Sequence, residues 1–135
     1  MTGKRFVYFQ PNEKDLKDKY GDCTIRALCK IFECTWLDAF RKTLPLCEQH
    51  QLMPSYMFFA GHEDEMAEML GLKRNSISVK KGQKRPTVDE FAKSHPQGRF
   101  IVKVAHHVVA VVDGKYYDTW DSGKKPLYGY YELIK

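Results

Sequence analysis

Cys23, His107 and Asp118 are the residues whose types could together make an activated nucleophile. A thiol attacks carbonyl carbon as its thiolate, and an imidazole beside it can take the proton. A carboxylate on the other ring nitrogen fixes the tautomer and steadies the imidazolium. Such a set works through an acyl-thioester. His106 and Asp121 are the reserve base and acid.

Position sets Cys23 apart. In Gly21 to Phe32, GDCTIRALCKIF, Ile25, Leu28, Cys29 and Phe32 fall at i, i+3, i+4 and i+7, the spacing of a buried helical face. Asp22 is a good N-cap type, so Cys23 takes the first helical position, over the positive end of the helix dipole. With a histidinium near, a thiol there can fall from a pKa of about 8.5 to roughly 3.5–7.5. Gly21 allows a sharp turn into the helix and room for a substrate. Cys29, mid-helix on the apolar face, is by contrast an ordinary core cysteine. Cys23, Cys29, Cys34 and Cys47 form no CxxC pair, which argues against zinc and for reduced thiols.

The base must come from the second half. Arg99 to Val104, His107 to Val112, Lys115 to Thr119 and Leu127 to Ile134 read as strands, and Asp113-Gly114 is a two-residue hairpin signal. That turn pairs Val112 with Lys115 and Val109 with Asp118. Alternation then puts His107, Val109, Val111, Tyr116, Asp118 and Trp120 on one face, with Asp118 diagonal to His107. His106 and Asp121 point to the other face; a loop longer by one residue would swap the acid to Asp121.

The rest of the chain supplies the frame. Arg5 to Gln10 is a short strand ended by Pro11, and Asn12 to Tyr20 is a charged connector. Thr35 caps a second helix that Pro45 stops, and Leu46 to Pro54 is a loop. Ser55 caps a helical segment running to Leu70, broken at Gly61 and closed by Gly71. Asn75 to Val79 is a strand and Thr87 caps a helix over Val88 to Lys93. Helices first and antiparallel strands after make an α+β single domain of 135 residues.

Taken together, these motifs carry a resemblance. A cysteine opening the first main helix, then HVVAV and an acid on the next strand, resembles papain-like cysteine peptidases. GDCxxRAL (Gly21 to Leu28), MPS (Met53 to Ser55), HPxG (His95 to Gly98) and YDTWDSG (Tyr117 to Gly123) are similar to short bacterial and phage proteins of that type. The resemblance implies a papain-like fold, its nucleophile helix packed on a C-terminal antiparallel sheet. It also implies a cysteine peptidase or isopeptidase, with Cys23 as nucleophile, His107 as base and Asp118 as orienting acid. The glutamine that such enzymes carry upstream of the cysteine is replaced by Lys17. Gln10 is the substitute oxyanion donor, with Asn12 second and the Cys23 N–H as its companion.

Composition bounds the alternatives. No apolar run is long enough to span a bilayer and no secretory h-region opens the chain, so a cytoplasmic protein without membrane partners is expected. The net charge of +5 is concentrated in Lys73, Arg74, Lys80, Lys81, Lys84 and Arg85. Without interleaved aromatics this stretch argues against nucleic acid. It leaves one other reading, a non-catalytic papain-like module that binds an acidic partner. His62, Glu63, Asp64 and Glu65 are consecutive and do not converge on one ion, so neither metal nor cofactor is expected. The partner is then a peptide or protein substrate; oligomeric state is left open.

Overall fold

Apolar runs in the second half build the centre of a sheet that is covered on both faces. The computed structural model describes residues 4–134. Its strands are β1 (Phe6–Tyr8), β2 (Leu72–Ser76), β3 (Arg99–Val104), β4 (His107–Val112), β5 (Lys115–Asp118) and β6 (Gly129–Leu133). They form one sheet in the order β1-β5-β4-β3-β6-β2. The helices are α1 (Cys23–Phe32), α2 (Trp36–His50), α3 (Glu63–Leu70) and α4 (Val88–Ser94), with a 3₁₀ turn at Pro54–Tyr56. This is an α+β architecture.

On one face, Ile101, Val108, Ala110 and Val112 pack with Ile25, Leu28 and Cys29 of α1 and with α2 and α3. On the other, Phe100, Val102, Val109, Val111 and Tyr116 pack with Val88, Phe91 and Ala92 of α4. A fully buried side chain of this size contributes about 1.5–3 kcal/mol, so the central strands β3 and β4, apolar on both faces, anchor everything else. The expected hairpin register is present: Val112 pairs with Lys115 and Ala110 with Tyr117. Asp113 and Gly114 take φ of 49° and 81°, as a two-residue turn between twisted strands requires.

Several expectations need correction. The sheet is mixed rather than antiparallel, because β1 runs parallel to β5, and two of its strands come from the first 76 residues. The strand expected at Asn75 to Val79 lies earlier, at β2. The segment after Pro54 makes only a 3₁₀ turn before α3, whose N-cap is His62 rather than Ser55. Asp22 stands at the N-cap of α1 but makes no capping bond. Its carboxylate instead accepts from Arg26 Nη1 at 2.5 Å and from Trp36 Nε1 at 2.9 Å, tying α1 to α2.

Pro45 does not stop α2, which continues to His50. The continuation buries Leu46 and Cys47, while Pro45 itself faces solvent. Burial of the last turns therefore outweighs the missing N–H and the ring's clash with the preceding turn. An interior proline costs about 3 kcal/mol, partly offset by a stiffer unfolded chain. Pro45→Ala is accordingly expected to stabilise the fold by about 1–2 kcal/mol, read as a Tm higher by several degrees. An unchanged or lower Tm would show that the helix is already adapted to the ring.

Candidate active site

The start of α1 is prepared by the connector before it. Asp15, 4% exposed, accepts the N–H groups of Lys19 at 2.8 Å and Tyr20 at 2.9 Å, fixing the approach to Gly21. Cys23 follows as the first residue of α1, where N–H groups have no intrahelical acceptor. With Asp22 turned towards Arg26 and Trp36, no side-chain cap occupies these donors.

His107 opens β4 and Asp118 closes β5. Because these strands are antiparallel, both lie at the same end of the sheet, the end where α1 begins. Their face of the sheet is the one covered by α4, whereas α1 covers the other. Strand alternation alone would thus separate the imidazole from the thiol; it is the position of all three residues at the sheet end that lets them meet.

His107 Nε2 lies 2.7 Å from Asp118 Oδ2, and the same oxygen accepts from Ser122 Oγ at 2.8 Å. Asp118 Oδ1 accepts from the Thr119 N–H at 2.7 Å and from Arg26 Nη2 at 3.4 Å. Asp118 is 2% exposed, so its orientation is held from all sides by buried donors. With Nε2 committed to Asp118, Nδ1 is the ring atom left for the thiol. Trp120 lies over the imidazole with ring centroids 5.0 Å apart, limiting its rotation.

The electrostatics agree with the geometry. Burial pushes the Cys23 thiol up, but the hydrogen bond and charge of His107, the Val108 N–H and Arg26 together bring it below its ordinary value. Burial pulls His107 down, yet hydrogen bonds to Asp118 and Cys23 raise it to about 9. The pairing therefore biases Cys23 towards thiolate and His107 towards imidazolium. The other cysteines behave oppositely: burial raises Cys34 and Cys47, and Cys29 reaches about 12. All four thiols are free.

No protein-family model, curated protein or solved structure matches the chain. The site must be judged on its own geometry.

Cys23 and His107 open into a cleft of about 490 Å³ whose walls include Asp18, Tyr20, Tyr56, Phe59 and Trp120. A larger cavity of about 1080 Å³ lies elsewhere, around Arg85, Asp89 and Tyr116, and is lined by no thiol or imidazole. The expected oxyanion donor Gln10 does not line the cleft. Its Nε2 donates to Asp18 Oδ1 at 2.9 Å and its Oε1 accepts the Asn12 N–H at 2.9 Å. Asn12 in turn caps the Lys14 N–H at 3.1 Å, a local turn. Both ends of the Gln10 amide and the Asn12 side-chain oxygen shape the connector, and Gln10 helps hold Asp18 at the mouth.

Of the reserve residues, neither His106 nor Asp121 takes part in the His107–Asp118 hydrogen bond. His106 lies in the β3–β4 turn at φ 57°, exposed on the cleft rim, with Asp118 bound to His107 instead. Asp121 Oδ1 accepts from Tyr116 Oη at 2.5 Å and from the Gly123 N–H at 3.0 Å. A Cβ on Gly123 would collide with that tyrosine, so the turn requires glycine. Sequence reading missed Arg26, which lies 8% exposed between Asp22 and Asp118. Its signal was there: a cation inside the apolar run TIRALCKIF calls for a buried anion.

Proposed function

We infer that the chain is a cysteine hydrolase of papain-like type, acting on an amide or isopeptide bond of a peptide or protein. The observation that carries this reading is Cys23, its acidity shifted by His107, facing one cleft with the hydrogen-bonded His107–Asp118 pair. The Cys23 thiolate adds to the scissile carbonyl, and the oxyanion forms beside the unpaired N–H groups at the α1 start. His107 Nδ1 gives its proton to the leaving amine as the C–N bond breaks, leaving an acyl-thioester. Water, deprotonated by the same nitrogen, then hydrolyses the thioester and restores the thiolate. Asp118 keeps Nε2–H in place throughout.

The competing reading, a binding module built on the basic stretch, draws less support. Arg74 pairs with Glu63 and Asp64. Arg85 donates to the Ile77 and Leu127 carbonyls and stacks on Tyr128. Two of those six charges serve the fold. Among the described residues no helix is long and apolar enough to cross a membrane.

Para-nitrophenyl acetate tests the catalytic reading with minimal demands on specificity. A burst of one p-nitrophenol per chain, with an acetyl group on Cys23 by mass spectrometry, is expected. Absence of the burst, or the same burst from Cys23→Ala, would overturn it.

A further inference from the structure

Away from the cleft, the end of α2 and the start of α3 bring together His50, His62 and Glu65. One ligand atom from each lies within 4.8 Å of the others. His50 Nε2 is 2.9 Å from Glu65 Oε1, and the two imidazole rings stack with centroids 3.7 Å apart. His62, the N-cap of α3, and Glu65 in its first turn stand at i and i+3, and His50 reaches them from the end of α2. The consecutive run His62 to Glu65 had hidden this, because its partner is distant in sequence.

His62 is also a poor choice for its place. It stands at the N-cap of α3, where Ser, Thr, Asp and Asn are favoured, and makes no capping bond. Its ring is turned towards His50 instead. A residue that gives up a local stabilising role at a cluster of this composition points to a ligand for the cluster.

We propose that His50, His62 and Glu65 form a binding site for a zinc-class divalent cation. Two imidazoles and one carboxylate are a donor set for such ions, with water completing the coordination. Stacked rings do not aim their lone pairs at one point, so binding requires the partly exposed His62 ring to turn, which its missing cap bond leaves it free to do. His50 and His62 bracket residues 51–61, and Ser55, Tyr56 and Phe59 of this segment form one wall of the cleft. The ion therefore pins the two ends of that wall together.

Zn²⁺ titration by calorimetry tests the site in a Cys23→Ala background, which removes the competing thiol. One ion per chain is expected, with slower amide hydrogen exchange across 51–61 when it is bound. Adding His62→Ala, or separately the exposed, isosteric change Glu65→Gln, which removes the carboxylate charge, is expected to weaken binding by about tenfold or more. No saturable binding in Cys23→Ala, or undiminished binding in either second variant, would overturn the proposal. Should His62→Ala disturb α3, Glu65→Gln decides alone. Neither result depends on whether Cys23 is catalytic.

Discussion

At pH 6, iodoacetamide is expected to modify Cys23 and to leave Cys29, Cys34 and Cys47 almost untouched. An ordinary thiol of pKa about 8.5 is only about 0.3% ionised there. Cys23 is held below its ordinary value by His107, while burial pushes each of the other three up. Lower basicity reduces the intrinsic attack rate of each thiolate, so the net advantage is on the order of 10–10² in rate. His107→Ala removes the hydrogen bond and charge that oppose burial, and the advantage should vanish. The profile of rate against pH checks the pairing itself. In the wild type it should rise below the range of a normal thiol and change again near pH 9, where the imidazolium deprotonates. Stability follows the same sign: the raised His107 contributes fully below about pH 6.5 and loses its contribution as pH climbs through about 9. Uniform labelling of the cysteines, or an unchanged profile in His107→Ala, would remove Cys23 as an activated thiol.

The elements behind this prediction were readable to different depths. β3, β4 and the Asp113-Gly114 turn were legible to the residue, because short apolar runs joined by a two-residue turn leave one register open. Cys23 at a helix start followed from the apolar spacing behind it. What the sequence hides are pairings between distant segments. Gln10 looks like a spare amide donor until its contact with Asp18 is seen. Asp22 looks like a cap until Arg26 and Trp36 claim its carboxylate. Pro45 looks like a stop until Leu46 and Cys47 are found in the core. In each case a local preference yields to a side-chain contact or to burial in the core.

Asp118→Asn and Asp121→Asn should differ sharply although the residues are near neighbours. Asp118 is the group on His107 Nε2, and an amide there can present its NH₂ instead of an acceptor, favouring the wrong tautomer. In a serine triad the equivalent change costs about 10⁴ in kcat. The cost here should be smaller, on the order of 10–10² in rate, because the start of α1 also favours the thiolate. Arg26 complicates the variant: losing the Asp118 charge leaves its guanidinium with Asp22 as the remaining carboxylate. Some loss of Tm is therefore expected alongside the chemical effect. Asp121 accepts from Tyr116 and the Gly123 N–H on the side away from the thiol, and an amide oxygen can accept the same bonds. Asp121→Asn should leave alkylation of Cys23 nearly unchanged at every pH while costing a little stability. The decisive comparison is alkylation rate against pH for both variants, with melting temperatures to separate chemistry from folding. Slowed alkylation in Asp121→Asn together with a wild-type profile in Asp118→Asn would mean that the acid had been assigned one turn too early.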